Sequence, residues 1–329
     1  MTDRLLQSSP TCWCGNADLE PFGPEFLRCA ACQTLVSPHR GRATAAEVTA
    51  VGPDEAGLYG KDYWFGHQTA DVGYPDLVAR AEFDLPERCA HWLRTLLAYA
   101  PPPGRVQELG SAHGGFVALL RLAGYDAAGL ELSPYVVDFA RRTFGVPMLA
   151  GPIEQQPIEP GSLAAVAMMD VLEHLPDPVG TVRHVASLLR PGGVLVVQTP
   201  RYPEGETYAS LAARDDYFLN QMRGKAPEHL LLFSRTSAAQ VMAAAGLPAV
   251  AFEPALFAGY DQYFVAGREP LARATEEAQA AALRATPGGR LARALLDAAG
   301  QRDAYLDEAR KRMDVITALA AEIERLKQS

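Results

Sequence analysis

Glu108 and Glu131 stand on either side of a glycine-rich run, and two carboxylates so placed can grip a ligand that carries hydroxyls or a positive charge. Residues 105–115 read Arg-Val-Gln-Glu-Leu-Gly-Ser-Ala-His-Gly-Gly. An acidic strand end thus passes into a turn at Gly110 and Gly114, where backbone can come close to a ligand. The apolar-periodic segment Phe116, Val117, Leu119, Leu120 and Leu122 follows and stops at Gly124, so the turn lies between a strand and a helix N-terminus. Glu131 closes the next strand, 21 positions after Gly110, where a carboxylate can accept both hydroxyls of a ribose. The spacing predicts a nucleoside cofactor.

A second chemistry is carried by cysteines. Four of the five form the close pairs Cys12-x-Cys14 and Cys29-x-x-Cys32. Each pair offers two thiolates from one knuckle, and two knuckles complete the tetrahedron of a closed structural zinc site. Surface thiols or a redox pair are the alternatives. Cys89, beside Trp92 and Leu93 on an apolar helical face, reads as core filling. A third chemistry needs a proton acceptor, and His174 and His229 are the candidates because imidazole titrates near neutrality.

These residues are positioned by alternating strands and helices. A helix over 86–100 ends at Pro101-Pro102-Pro103-Gly104, and strands follow at 105–109, 126–131, 147–150, 164–169 and 193–198. Helices at 114–123, 134–144 and 178–189 separate them, and a further helix at 234–245 starts with Ser234 as its cap. The last two strands, near 249–253 and 261–266, are joined by too few residues for a right-handed crossover and must be antiparallel. The expected fold is α/β: a doubly wound, mainly parallel seven-stranded sheet with an antiparallel last strand pair, a small N-terminal zinc knuckle and a helical C-terminal tail.

The organisation reads as a zinc-ribbon-like segment at 1–40, a linker and aromatic cover at 41–85, the α/β domain at 86–267 and a helical tail at 268–329. Tyr59, Tyr63, Trp64 and Phe65 form an aromatic cluster that either anchors the domain or covers a ligand pocket. Tyr63, Tyr202, Tyr208 and Tyr217 are candidates to line an acceptor pocket. In the tail, Leu306, Ala309, Met313, Ile316, Ala320 and Ile323 alternate at spacings of 3 and 4, which fits either a modest coiled coil, with a homo-oligomer through 303–328, or an amphipathic helix packed on its own domain. With 329 residues, 48% hydrophobic, the chain can bury a sizeable core. Its net charge of -9 argues against nucleic acid as a partner, no window is apolar enough for a membrane span, and the N-terminus lacks a signal-peptide core, so a cytoplasmic location is expected.

The run Val106-Gln-Glu108-Leu-Gly110-Ser-Ala112-His-Gly114-Gly-Phe116 resembles the first motif of the class I S-adenosylmethionine-dependent methyltransferases, and Gly129-Leu-Glu131-Leu132-Ser-Pro134 resembles the second. Asp170-Val-Leu-Glu173-His174-Leu-Pro-Asp177-Pro and Leu189-Arg-Pro-Gly-Gly-Val-Leu complete the set, in order, across residues 59–267. The cysteine pairs and Tyr59-Gly-Lys-Asp-Tyr-Trp bring the chain nearer to bacterial members with an N-terminal zinc-binding segment, many of which act on sugars or glycans. The resemblance implies S-adenosyl-L-methionine as cofactor. It assigns Gly110, Ala112 and Gly114 to the methionine portion, Glu108 to the ammonium and Glu131 to the ribose, with Leu132, Ile153 and Asp170 beside the cofactor. Ala112 replaces a usual glycine, and Pro152 stands where an acid often meets the adenine, so adenine recognition falls to Ile153, Glu154 or their neighbours. Family members place substrate-facing residues near His229, which makes it the first choice of base, with His174 the competitor. The implied reaction is O- or N-methylation of a sugar, glycan or related small metabolite. The alternatives are a catalytically silent scaffold and an RNA methyltransferase.

Overall fold

The computed structural model describes residues 10–40 and 76–327. The N-terminal unit carries β1 (Leu19–Phe22), β2 (Phe26–Cys29) and β3 (Leu35–Val36). Then come α1 (Leu77–Phe83), a π-helical turn (Leu85–Cys89), α2 (Ala90–Tyr99) and β4 (Arg105–Leu109). The winding continues through α3 (Gly115–Ala123), β5 (Asp126–Glu131), α4 (Pro134–Phe144), β6 (Met148–Ala150), β7 (Leu163–Met169), α5 (Pro178–Leu188) and β8 (Leu189–Pro200). Two short helices, α6 (Tyr208–Ala213) and α7 (Tyr217–Met222), precede β9 (Leu231–Leu232), α8 (Arg235–Ala244), β10 (Ala249–Glu253) and β11 (Asp261–Gly267). The tail is α9 (Glu276–Arg284) and α10 (Pro287–Lys327).

The large sheet has seven strands in the order β10-β11-β8-β7-β4-β5-β6. Strands β8, β7, β4, β5 and β6 pair in parallel, while β11 runs antiparallel to both β8 and β10. The antiparallel pair read from the short connection is therefore present, with β11 as the reversed strand. Every residue of β7 and of β11 is buried, as strands covered on both faces require. Chain order reverses beside β4, so the carboxyl ends of β4, β5 and β7 open onto one crevice, the usual ligand position in a sheet of this kind. Strand β8 is longer at its start than expected, because Leu189 pairs with Leu163 and an irregularity absorbs the glycines before Val194.

The cysteine segment is not a free appendage. Strand β9 joins β1, β2 and β3 in a second, four-stranded sheet, with Leu35 opposite Leu232 and Val36 opposite Leu231. The Ser37 hydroxyl donates to the Ala226 carbonyl and the Ser37 N–H to the Leu230 carbonyl. Arg40 donates to the Pro176 carbonyl at 2.9 Å. The N-terminal unit thus holds both the loop after β7 and the loop before β9.

Helix α10 begins at Pro287, where a missing N–H costs nothing, and buries Gly289, Ala292, Leu296 and Ala299 against the domain. From 303 to 327 it is exposed throughout. No described helix is long and apolar enough to cross a membrane. The aromatic cluster at 59–65, with Tyr63, lies outside the described residues.

Candidate functional site

A cavity of about 980 Å³ runs along the carboxyl ends of β4, β5 and β7. Its wall includes Glu108, Gly110 and Ala112 from the glycine turn, with Glu131 and Leu132 from the end of β5. Ile153, Asp170, Glu173, His174 and His229 complete the positions of interest. Gly110 has φ +69°, and a Cβ there would meet Val171 Cγ2 at 2.6 Å, so glycine is required for the turn. Gly114 does not line the cavity. At φ +80° it lets the turn pack on α4, where a Cβ would lie 2.8 Å from that of Ala140, so its part is in packing rather than in approach to a ligand. Ala112 takes φ +43°, a conformation that glycine adopts more readily, and its N–H donates to Glu131 Oε2 at 3.3 Å.

The two carboxylates differ in how they are satisfied. Glu131 accepts from the N–H of Leu132 at 2.7 Å, of Ala112 at 3.3 Å and of Ser133 at 3.4 Å. Burial pushes its carboxyl above the ordinary range, and these three donors pull it back in part. Glu108 is also buried, yet its Oε2 has no hydrogen-bond partner among the described residues. Burial, and then the nearby Glu131, hold the Glu108 carboxyl well above its usual value. A buried acceptor without a partner is costly, and a cationic donor delivered into the cavity would relieve it.

The opposite wall is formed by α1 and the π-helical turn. Asp84 accepts from His113 at 3.1 Å and lies 3.4 Å from Arg80 and 3.5 Å from Arg88. The His113 Nδ1 accepts from the Gly115 N–H at 3.0 Å, which leaves Nε2 as the donor to Asp84. Asp170, at φ +56°, accepts from Gln198 at 3.1 Å and 3.2 Å, and the Gln198 amide is oriented by Trp92 at 3.0 Å. Arg80, Asp84, Arg88, His113 and Gln198 were not singled out by sequence pattern. Charges on a helix read as a solvated face, and only the resemblance to an ion-paired cluster at spacing of four, Arg80, Asp84 and Arg88, was available as a signal.

Elsewhere on the cavity wall, the rings of His174 and His229 meet edge to face with centroids 4.8 Å apart. His174 Nδ1 pairs with the Glu228 carbonyl at 2.9 Å. His229 Nδ1 is buried without a partner among the described residues. Burial holds both imidazoles below their ordinary value, His229 far below, and the neighbouring His174 and Lys225 add to the effect on His229. Both rings are therefore neutral near pH 7. Glu173 is buried beside them and accepts from the Thr199 hydroxyl at 2.8 Å. Of the tyrosines expected in an acceptor pocket, Tyr202 packs among Phe22 and Phe218, Tyr208 against Phe22 and Tyr217 against Tyr260. None of these three lines the cavity: Tyr202 fills a small core with Phe22 and Phe218, while Tyr208 and Tyr217 stand at the exposed surface; Tyr260 lines it instead.

The four cysteines converge, with all Sγ atoms within 4.8 Å of one another. Cys12 and Cys32 are 3.4 Å apart, and Cys14 and Cys29 3.7 Å. Four sulfurs on a tetrahedral zinc, at bonds of about 2.3 Å, lie about 3.8 Å apart, so the cluster has the right size. Thr34 Oγ1 lies 3.2 Å from the Cys32 sulfur and Asn16 donates to the Cys29 sulfur at 3.5 Å, contacts that favour thiolates.

A profile of the family described as "Methyltransferase domain" matches residues 81–251. A ubiquinone biosynthesis O-methyltransferase of Xanthomonas campestris is 35% identical over 106 residues, which is 30% of this chain and 44% of that protein. The like-named protein of Ralstonia nicotianae is 29% identical over 183 residues, 54% of this chain and 74% of its own length. The chain thus spans under half the length of the first of these relatives. Among solved structures, a Haemonchus contortus phosphoethanolamine N-methyltransferase with S-adenosylhomocysteine aligns at TM-score 0.48 and 14% identity, over 64% of this chain and 60% of that one. A methyltransferase bound to the Trm112 activator of Haloferax volcanii aligns at TM-score 0.46 and 19% identity, over 60% and 99% of the respective chains.

Proposed function

Because this chain belongs to the methyltransferase-domain family, as a class I S-adenosylmethionine-dependent methyltransferase, we propose that it methylates a hydroxyl group of a small metabolite. The observation that carries the reading is Glu108 on the cavity wall beside Glu131 and the glycine turn, its Oε2 without a partner among the described residues. S-adenosylmethionine supplies a methyl carbon on a sulfonium: a C–O bond forms to the acceptor, the C–S bond breaks, and its electron pair stays on sulfur. In this reading Glu108 accepts from the cofactor's ammonium. Glu131 takes the ribose hydroxyls, its 3.4 Å contact to Ser133 being weak enough to yield. The Ile153 turn receives the adenine, and the rim that Gln198 and Arg88 build around Asp170 closes the methionine end. Holding the reactants in line carries much of the rate, roughly 7–11 kcal/mol in well-oriented systems. The acceptor hydroxyl gives up its proton to water on the His174–His229 side of the cavity.

The names of the curated relatives favour transfer to oxygen over nitrogen. A sugar or glycan hydroxyl is the acceptor class that the N-terminal segment suggests. The four cysteines hold a structural zinc, and the exposed stripe of α10 joins a second copy of the chain. Calorimetric titration with S-adenosylhomocysteine tests the cofactor, and mass detection of methylated product across phenolic, sugar and amine acceptors tests the class. No binding of the nucleoside by folded protein would end the reading; methylation confined to amines would end its preference for oxygen.

A further inference from the structure

We propose that Glu173, His174 and His229 form a second metal site, for a divalent cation of the zinc and cobalt class, on the acceptor side of the cavity. Its existence is argued from the side chains alone, while its catalytic part rests on the methyl-transfer reading above.

One donor atom from each of the three residues lies within 4.8 Å of the others, and all three residues line the cavity. Donors on a tetrahedral ion with bonds of about 2.0–2.2 Å stand about 3.4 Å apart, so the set closes by at most about 1.4 Å on binding. The outer contacts are those that prepare metal ligands. His174 Nδ1 faces the Glu228 carbonyl at 2.9 Å, which fixes the proton there and turns the Nε2 lone pair toward Glu173, 3.9 Å away. The Thr199 hydroxyl holds Glu173 Oε2 at 2.8 Å and orients that carboxylate. His229 is more than nine-tenths buried and presents an Nδ1 without a partner among the described residues. Charges of both signs surround the three: Asp170 and Asp261 act on Glu173, Lys225 acts on both histidines, and Arg88 acts on Asp261, neither oxygen of which has a partner among the described residues.

Two imidazoles and one carboxylate leave a fourth position toward the cavity, as in catalytic zinc sites. An acceptor hydroxyl seated there is polarised. The O–H electron pair stays on oxygen, the proton passes to water, and the oxygen then forms its bond to the methyl carbon as the C–S pair remains with sulfur. This arrangement therefore uses His229 to hold the cation rather than as the base itself.

Cobalt distinguishes the two metal sites in the full-length protein. Thiolate ligands from the cysteine cluster give charge-transfer bands in the near ultraviolet, whereas an imidazole and carboxylate set gives only weak visible bands. Titration of metal-stripped protein with Co2+ is expected to show a second equivalent of the latter kind. Glu173→Gln and His229→Ala should each weaken it at least tenfold, with the thiolate bands and the thermal midpoint kept. Should His229→Ala fail to fold, the nearly isosteric Glu173→Gln decides alone. A single equivalent, wholly thiolate-bound, overturns the proposal, and so does a second equivalent unaffected by a folded variant. S-adenosylhomocysteine binding is read on the same samples. Nucleoside binding without the second cobalt sinks the cation site and spares methyl transfer; the second cobalt without nucleoside binding does the reverse.

Discussion

Nε2 of His113 stands 3.1 Å from Oδ2 of Asp84, a contact that ties the glycine-rich turn to the helical segment arriving before the sheet. Arg80 and Arg88 flank the same carboxylate, and Arg88 reaches on to Asp170 at 3.8 Å. The chain of charges runs along the cavity from the helical segment to the end of β7, so the shape of the cavity depends on residues outside the glycine motif.

Asp84→Asn is expected to lower stability by about 1–3 kcal/mol, the range for a hydrogen-bonded charged group. Burial raises the Asp84 carboxyl, but His113, Arg80 and Arg88 outweigh it and leave a net lowering. A lowered folded-state value means stability that is present above the unfolded value, near pH 4, and lost as pH falls through the folded one. The variant should therefore differ from the parent in urea midpoint at pH 7 and converge with it at strongly acid pH. Equal midpoints at pH 7 would remove Asp84 from the wall's support.

Glu108 makes the opposite prediction. With its carboxyl held well above the usual range, the free protein keeps it protonated in mildly acid solution, and its contribution to stability is lost as pH rises through the folded value. A bound ammonium favours the ionised form, so S-adenosylhomocysteine affinity should rise with pH, and binding should release a proton at the lower end. Glu108→Gln should weaken binding by roughly tenfold to a hundredfold, the equivalent of about 1.5–3 kcal/mol for a charged hydrogen bond, and abolish the proton release. Calorimetry in buffers of different ionisation enthalpy reads both. A pH-independent affinity in the parent would separate Glu108 from the ammonium.

The large sheet was legible because its strands announce themselves: 163–169 and 194–197 are apolar without interruption, and the connection from β10 to β11 is too short for a crossover. The second sheet was not. Strands β3 and β9 have two residues each, far below the length at which a period can be read, and they join Leu35 to Leu232 across the chain. Within the site, Glu108 and Glu131 stood out because glycines and strand ends bracket them. His113 sits inside the same run and passed as a spacer, since its partner Asp84 is brought to it only by tertiary packing. Glu173 was read as part of a motif; its nearness to His229 rests on the Leu230 N–H donating to the Glu173 carbonyl at 2.8 Å, beside the β3–β9 pairing, and sequence could supply neither contact.

That pairing makes the cysteine unit a support for the site. Stripping the proposed zinc with a chelator, or Cys32→Ser, should release β3 and with it the segment 226–232 that carries His229. Hydrogen exchange should quicken in 19–36 and 230–232 while β4 and β7 stay protected. Turnover should drop by about 10²-fold, the scale set by a misplacement of about 1 Å. Unchanged protection at 230–232 after metal loss would show that the two loops hold themselves.

The far end of α10 should be dispensable for folding and necessary for self-association. Residues 303–327 are exposed and meet the domain through the surface ion pair Arg94–Asp303 at 3.9 Å, a contact of little worth, so cutting the chain after Arg302 should leave the thermal midpoint nearly unmoved. The same stretch displays Leu306, Met313, Ile316 and Ile323 to solvent on one stripe, with Lys311–Asp307 and Arg312–Glu308 pairs spaced along the helix. Two copies laid side by side would cover that stripe at the spacing a two-stranded coil needs, although Ala309 and Ala320 make the seam shallow. Sedimentation should give a concentration-dependent dimer for the full chain and a monomer for the shortened one, both with the same affinity for S-adenosylhomocysteine. A full chain that sediments as a monomer at high concentration would leave the stripe without a second copy to cover it.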